Sequence, residues 1–172
     1  MKYVYALSAM LALITFATPA PASEKHRAKL LEGVQETPAV ITGANGSFHM
    51  VIERGGGSFD FELTYEGIEG GSVTQAHIHV GQPNVAGGIV IFLCTNQTPP
   101  AGVPVPPSCP TPSGTVTGTR TAADVLAQTT QGVSAGELSA VLTAIREGVA
   151  YANVHSTASP AGEIRGQIER GD

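Results

Sequence analysis

The chain of 172 residues has no tryptophan, and aromatic residues make up only 5% of it. A protein that holds single-stranded nucleic acid needs aromatic faces for the bases and a basic groove for the phosphates. Here 9 Lys and Arg stand against 14 Asp and Glu, a formal charge of −5, so nucleic acid is a poor partner. No run of like charge marks a tail or a membrane-surface patch. Nor does any apolar run approach the roughly 20 residues that a bilayer crossing requires, so no membrane insertion is expected. The longest run, Val4 to Phe16 behind Lys2, has instead the length of a secretory h-region, and Ala20-Pro21-Ala22 supplies a small-x-small cleavage pattern. Residues 1–22 are therefore expected to be a signal peptide cut near Ala22, giving a secreted or periplasmic product.

Cysteine is almost absent. Cys94 and Cys109 are the only two, and in an exported chain a lone pair is most simply a disulfide. Between them lie Pro99, Pro100, Pro104, Pro106 and Pro107, which no central strand accommodates, so the segment reads as a stapled excursion. Closing a loop of this size contributes about 3 kcal/mol in the chain-entropy model. With the pair so used, no thiol nucleophile remains, and no G-x-S-x-G elbow occurs, so nothing supports a hydrolase.

What the chain does have is glycine, threonine and valine, with alternating apolar positions. Phe48, Met50 and Ile52 alternate with polar residues, as do Phe59, Phe61, Leu63 and Tyr65, and Arg54-Gly55-Gly56-Gly57 between them is a hairpin signal. Val73 to Val80, Gly88 to Cys94, Val149 to His155 and Glu163 to Ile168 read as further strands. Ser134-Ala135-Gly136-Glu137 has the form of a capping box before an apolar stripe of Leu138, Val141, Leu142 and Ile145, and Thr121 to Asp124 is a weaker copy. The expected fold is all-β, an antiparallel Greek-key β-sandwich or barrel with one or two short helices in late loops. Residues 23–29 read as a flexible, polar N-terminus that includes His26, and residues 30–172 as one domain.

Histidine carries the chemistry. His77 and His79 form an H-x-H pair, and on a strand such a pair puts both rings on one face, about 6.6 to 6.8 Å apart along the backbone. By strand parity they alternate with Ala76, Ile78 and Val80 and point outward if the apolar set faces the core. His155, beside Tyr151 and Asn153 on its own strand face, can bring a third imidazole. Three nitrogens with an open position suit copper or zinc. The same pair is also what a solvated strand face carries, and that alternative stands. His49 is exposed by the same parity and joins the group only if its strand neighbours the pair. Glu163 and Arg165, two apart, share an outward face, where an ion pair contributes under about 1 kcal/mol.

The residues Ala76-His77-Ile78-His79-Val80-Gly81, Gly87-Gly88-Ile89, Tyr151-Ala152-Asn153-Val154-His155 and Pro160-Ala161-Gly162-Glu163-Ile164-Arg165-Gly166-Gln167-Ile168 resemble the hallmarks of the chordin-type (CHRD) domain. The opening Leu31-Glu32-Gly33-Val34-Gln35-Glu36-Thr37-Pro38 is similar to that family's start. The resemblance covers about Leu30 to Glu169 and implies an extracytoplasmic β-sandwich. A more distant likeness is to copper-zinc superoxide dismutase, another β-sandwich. In that comparison His77 and His79 correspond to its H-x-H pair, His155 to a late copper ligand and Arg165 to an anion-guiding arginine. No histidine lies between His79 and His155, so the bridging imidazole and the zinc loop have no counterpart.

Three functions compete on this reading. One is a binding module that holds one metal ion, copper ahead of zinc, at a surface site of His77, His79 and His155, with Glu163 and Arg165 around it. Another is a copper redox enzyme acting on superoxide or a similar small anion drawn in by Arg165. The last is a metal-free domain that works through an unidentified protein partner.

Overall fold

The structure, a computed structural model, describes residues 22–99 and 101–171. The expected signal segment, up to residue 21, lies outside the described residues. The strands run β1 (Glu24–Glu32), β2 (Asn45–Ile52), β3 (Ser58–Glu66), β4 (Val73–Val80), β5 (Gly88–Thr95) and β6 (Gly114–Thr121). After β6 come the helix α1 (Leu138–Arg146) and the strands β7 (Ala150–Ser156), β8 (Ile164–Gln167) and β9 (Glu169–Arg170). The sheet order is β5-β4-β7-β8-β1-β2-β3-β6, every pairing is antiparallel, and the short β9 lies on β1. The chain crosses between the two halves of the sheet from β3 to β4, from β5 to β6 and, through α1, from β6 to β7.

Alternation decides the inner face. Phe48, Met50 and Ile52 of β2 stand opposite Leu63, Phe61 and Phe59 of β3, and all six are buried. Each such side chain contributes roughly 1.5–3 kcal/mol by leaving water. The hairpin between them turns through Gly55 and Gly56, whose φ values of 88° and 69° suit glycine. Leu138, Val141, Leu142 and Ile145 of α1 join the same core. The capping box expected at Ser134 is only half made: Ser134 N–H donates to the Glu137 carboxylate, while the complete reciprocal box forms at Thr121 and Asp124.

One side chain draws the open ends of the sheet together. Arg120 of β6 donates from Nε to Phe92 O and from Nη2 to Leu93 O of β5, both at 2.8 Å, and its guanidinium lies 4.8 Å from the centre of the Phe61 ring. The sheet is thereby nearly closed into a barrel. β5 also carries two register shifts against β4, where Leu93 and Val90 are extra residues, and such bulges sharpen strand curvature.

Two expectations need correction. Glu24 to Lys29 are not a flexible lead but part of β1, and His26 is 3% exposed in the core, because its strand pairs with both β2 and β9. Outward parity also does not mean exposure on β4 and β7: residues from Ala76 to His79 and all of β7 are buried. Segments 33–44, 81–87 and 157–163 roof that outer face, as their bonds to it show below. The Cys94–Cys109 disulfide is formed, with Cα atoms 5.2 Å apart. Asn96 straps the same excursion, its side chain bonding Val73 O, Cys109 O and Cys109 N–H. Among the described residues no helix is long and apolar enough to cross a membrane.

Candidate metal centre

β4 and β7 pair so that His79 faces Tyr151, His77 faces Asn153 and Gln75 faces His155. All these positions project to the roofed side. One ring nitrogen from each of His77, His79 and His155 lies within 4.8 Å of the others, and the three side chains are 0%, 6% and 4% exposed. Burial is the main cause that depresses all three rings: His77 falls to about 2 and His79 to about 4, each also repelled by neighbouring cationic forms, and His155 shifts in the same direction. At neutral pH the imidazoles are uncharged, the state in which histidine ligates a metal.

The outward nitrogens are all engaged. His79 Nδ1 lies 3.0 Å from Gly87 O, and His155 Nδ1 lies 3.0 Å from Pro160 O. A carbonyl oxygen only accepts, so each Nδ1–H donates and each Nε2 keeps a lone pair. His77 Nε2 lies 3.1 Å from Gln75 Oε1, and a donor there leaves the lone pair on His77 Nδ1. Three lone pairs then converge. His77 Nδ1 and His155 Nε2 approach to 3.1 Å, and His79 Nε2 is buried without a hydrogen-bond partner. Oriented imidazoles with satisfied outer N–H groups are what a histidine metal site needs.

Aromatic rings pack against the cluster. The Phe92 ring meets His77 edge-on at 4.3 Å between centroids, and Tyr151 stacks on His79 at 4.7 Å with only 4° between planes. Arg165 places its guanidinium carbon 4.1 Å from the Tyr151 ring centre.

A sequence model of the CHRD domain matches residues 28–168. The chain belongs to the CHRD family. No curated protein and no solved structure matches it.

In this CHRD domain the three histidines meet as their parity suggested, but the site is enclosed and not at the surface. The roof accounts for the difference: Gly87 and Pro160 hold the rings, Tyr151 Oη accepts from Gly87 N–H at 3.1 Å, and Arg165 donates from Nη1 to Val85 O at 3.1 Å. Arg165 is 3% exposed. Glu163 and Arg165 form no ion pair. Glu163 precedes β8, and its carboxylate turns the other way, accepting from Thr42 Oγ1 (3.0 Å), Glu69 N–H (2.8 Å) and Gly70 N–H (3.0 Å). His49 is exposed on β2, between Arg27 and Glu62 on neighbouring strands, and takes no part in the cluster.

Glu36 was not recognisable as part of this region. Its side chain accepts from Asn153 Nδ2, and burial raises its carboxyl to about 7 against the opposing pull of Arg165. A loop residue more than 100 positions from Asn153 leaves no periodic trace. Gln75, Tyr151 and Asn153 did leave one, since each shares a strand face with a histidine.

Proposed function

We propose that this CHRD domain is a metal-binding module that takes up one copper ion through His77 Nδ1, His79 Nε2 and His155 Nε2. The observation that carries the reading is the buried, unpartnered His79 Nε2, turned toward two other imidazoles whose outer nitrogens are already engaged. A buried acceptor without a partner costs roughly 1–3 kcal/mol, and a bound ion removes that cost. An all-imidazole set suits zinc, copper, iron and nickel, and among divalent ions the general affinity order peaks at copper. The disulfide fits a protein working outside the reducing cytosol.

A redox role on small anions has less support. Arg165, the cation that would steer the anion, is buried and donates to a backbone carbonyl of the roof. The metal-free alternative rests on the 3.1 Å approach of His77 to His155, which a single shared proton also satisfies. Titration of the purified protein with copper and with zinc, followed by metal analysis, separates these readings. Copper held at one ion per chain, and lost in His79→Ala, supports the module. Retention of zinc alone moves the identity of the ion, and no retention of either leaves the proton-bridged cluster.

A further inference from the structure

The charge inventory around the three histidines goes beyond which element binds. Their outer nitrogens rest on Gln75 Oε1, Gly87 O and Pro160 O, all neutral. Histidine metal sites place a carboxylate, a backbone carbonyl or a water in that outer position, and of these only the carboxylate adds negative charge to the ligand set. Among the described residues no carboxylate does so. Glu163 is committed to Thr42, Glu69 and Gly70, and Glu36 bonds Asn153. Arg165 works in the opposite sense: it lies over Tyr151, whose ring stacks on His79, and its charge bears on that histidine.

Solvent cannot compensate either, because the three ligands are 0%, 6% and 4% exposed and Phe92 and Tyr151 wall the space. The cost of taking an ion out of water grows with the square of its charge, about fourfold from a monovalent to a divalent ion of similar size. Cupric ion further prefers tetragonal nitrogen and oxygen ligation, which calls for ligands beyond three imidazoles. A closed-shell monovalent ion has no such need and is content with three nitrogens.

From these features we infer that the site selects copper in its cuprous state over cupric and zinc ions. The inference rests on the metal-binding reading above and deepens it. The preference lies in the neutral outer contacts and in the absence of compensating anionic charge, so it can be altered without touching a ligand. Gln75 is the place to do so: it is half-buried on β4, and Gln75→Glu puts a carboxylate of nearly the same shape beside His77 Nε2.

The test uses the purified disulfide-bonded protein. Cuprous ion is titrated without oxygen against bicinchoninate, and cupric and zinc ions against chelators of graded strength. We expect cuprous affinity to exceed the other two by at least about a hundredfold, which for the copper couple raises the reduction potential by about 120 mV at 59 mV per decade. Gln75→Glu is expected to narrow that ratio by about tenfold, chiefly through tighter divalent binding. Cupric or zinc binding as tight as cuprous overturns the inference while leaving the metal site intact, and so does a ratio unmoved by Gln75→Glu in a folded variant. Absence of binding by all three ions overturns the metal-binding reading itself.

Discussion

His155 reaches His77 along a diagonal of the β4–β7 ladder: Asn153 stands directly opposite His77, and Gln75 opposite His155, yet His77 Nδ1 and His155 Nε2 come within 3.1 Å. Diagonal neighbours across an antiparallel pair start about 7–8 Å apart, within reach of two rings that lean toward one another. The lean is enforced from outside, by Gln75 on one ring and Pro160 O on the other.

That arrangement makes His79 the sensitive position. Its Nε2 has no partner in the folded protein, so His79→Ala removes the proposed ligand without orphaning any protein group but Gly87 O. Copper affinity is expected to fall at least about a hundredfold, since loss of a nitrogen that touches the ion exceeds the 10–100-fold typical of outer partners. The unfolding midpoint without metal is expected to change by only a few degrees, at about 1 kcal/mol. Competitive titration and thermal unfolding of the same sample check both halves, and unchanged affinity would refute the site.

Acid should destabilise the metal-free domain. Burial depresses His77 to about 2 and His79 to about 4 and also lowers His155 and His26. Unfolded histidines titrate near 6.5, so below that pH the unfolded chain binds protons that the folded domain does not. The stability from these four rings is fully present above about 6.5 and is lost as pH falls from there, toward about 4 for His79 and about 2 for His77. Glu36 acts oppositely: its carboxyl, raised to about 7, favours folding in acid and loses that contribution as pH rises through 7. One group against four leaves the histidines dominant. Unfolding midpoints in chelator at about pH 5 and about pH 7.5 test this, with the lower midpoint expected in acid and its deficit reduced in His26→Leu. Equal midpoints would count against it.

Much of this was legible in sequence, and the exceptions share a cause. Phe48, Met50 and Ile52, like Phe59, Phe61, Leu63 and Tyr65, announce buried strand faces because their partners across the ladder have the same period. The common side of His77, His79 and His155 followed from parity for the same reason. Their burial did not, because the roof is built from irregular segments whose contacts, Gly87 to His79 or Glu36 to Asn153, obey no period. β1 was hidden by a histidine in a core position and by a bulge between Ala28 and Leu31, and β6 by an inner face made of Val116, Gly118 and Arg120. Glu163 and Arg165 share parity but no contact, since the Glu163 carboxylate is held by Thr42, Glu69 and Gly70 while Arg165 reaches Val85 O.

The seam between β5 and β6 depends on the fork of Arg120. Arg120→Lys keeps the charge but offers one head where two carbonyls, Phe92 O and Leu93 O, are served from Nε and Nη2. The buried carbonyl left unserved costs roughly 1–3 kcal/mol. Arg120→Met is expected to cost more, with both orphaned. Urea unfolding gives the energies, and hydrogen exchange locates them: faster exchange is expected in β5 and β6, with β2 and β8 little changed. Uniform acceleration would mean that Arg120 supports the whole fold and not the closure.

Gly162 offers a test of how the roof is tied to the strands that carry the histidines. A Cβ built on Gly162 falls 2.5 Å from Asn153 Nδ2 and 2.5 Å from Glu36 Oε1, the two atoms that join segment 33–44 to β7. Its φ of 130° adds backbone strain for any other residue. Gly162→Ala is therefore expected to destabilise the domain by roughly 1–3 kcal/mol. Because Pro160 O lies just upstream and holds His155 Nδ1, the same substitution is expected to weaken copper binding by about tenfold, as loss of an outer partner does. Glu36→Gln in the Gly162→Ala background adds little further destabilisation if the clash already breaks the Glu36–Asn153 bond, since coupled sites are not additive. Full additivity of the two substitutions would show that the added methyl disturbs its own turn alone and never reaches segment 33–44.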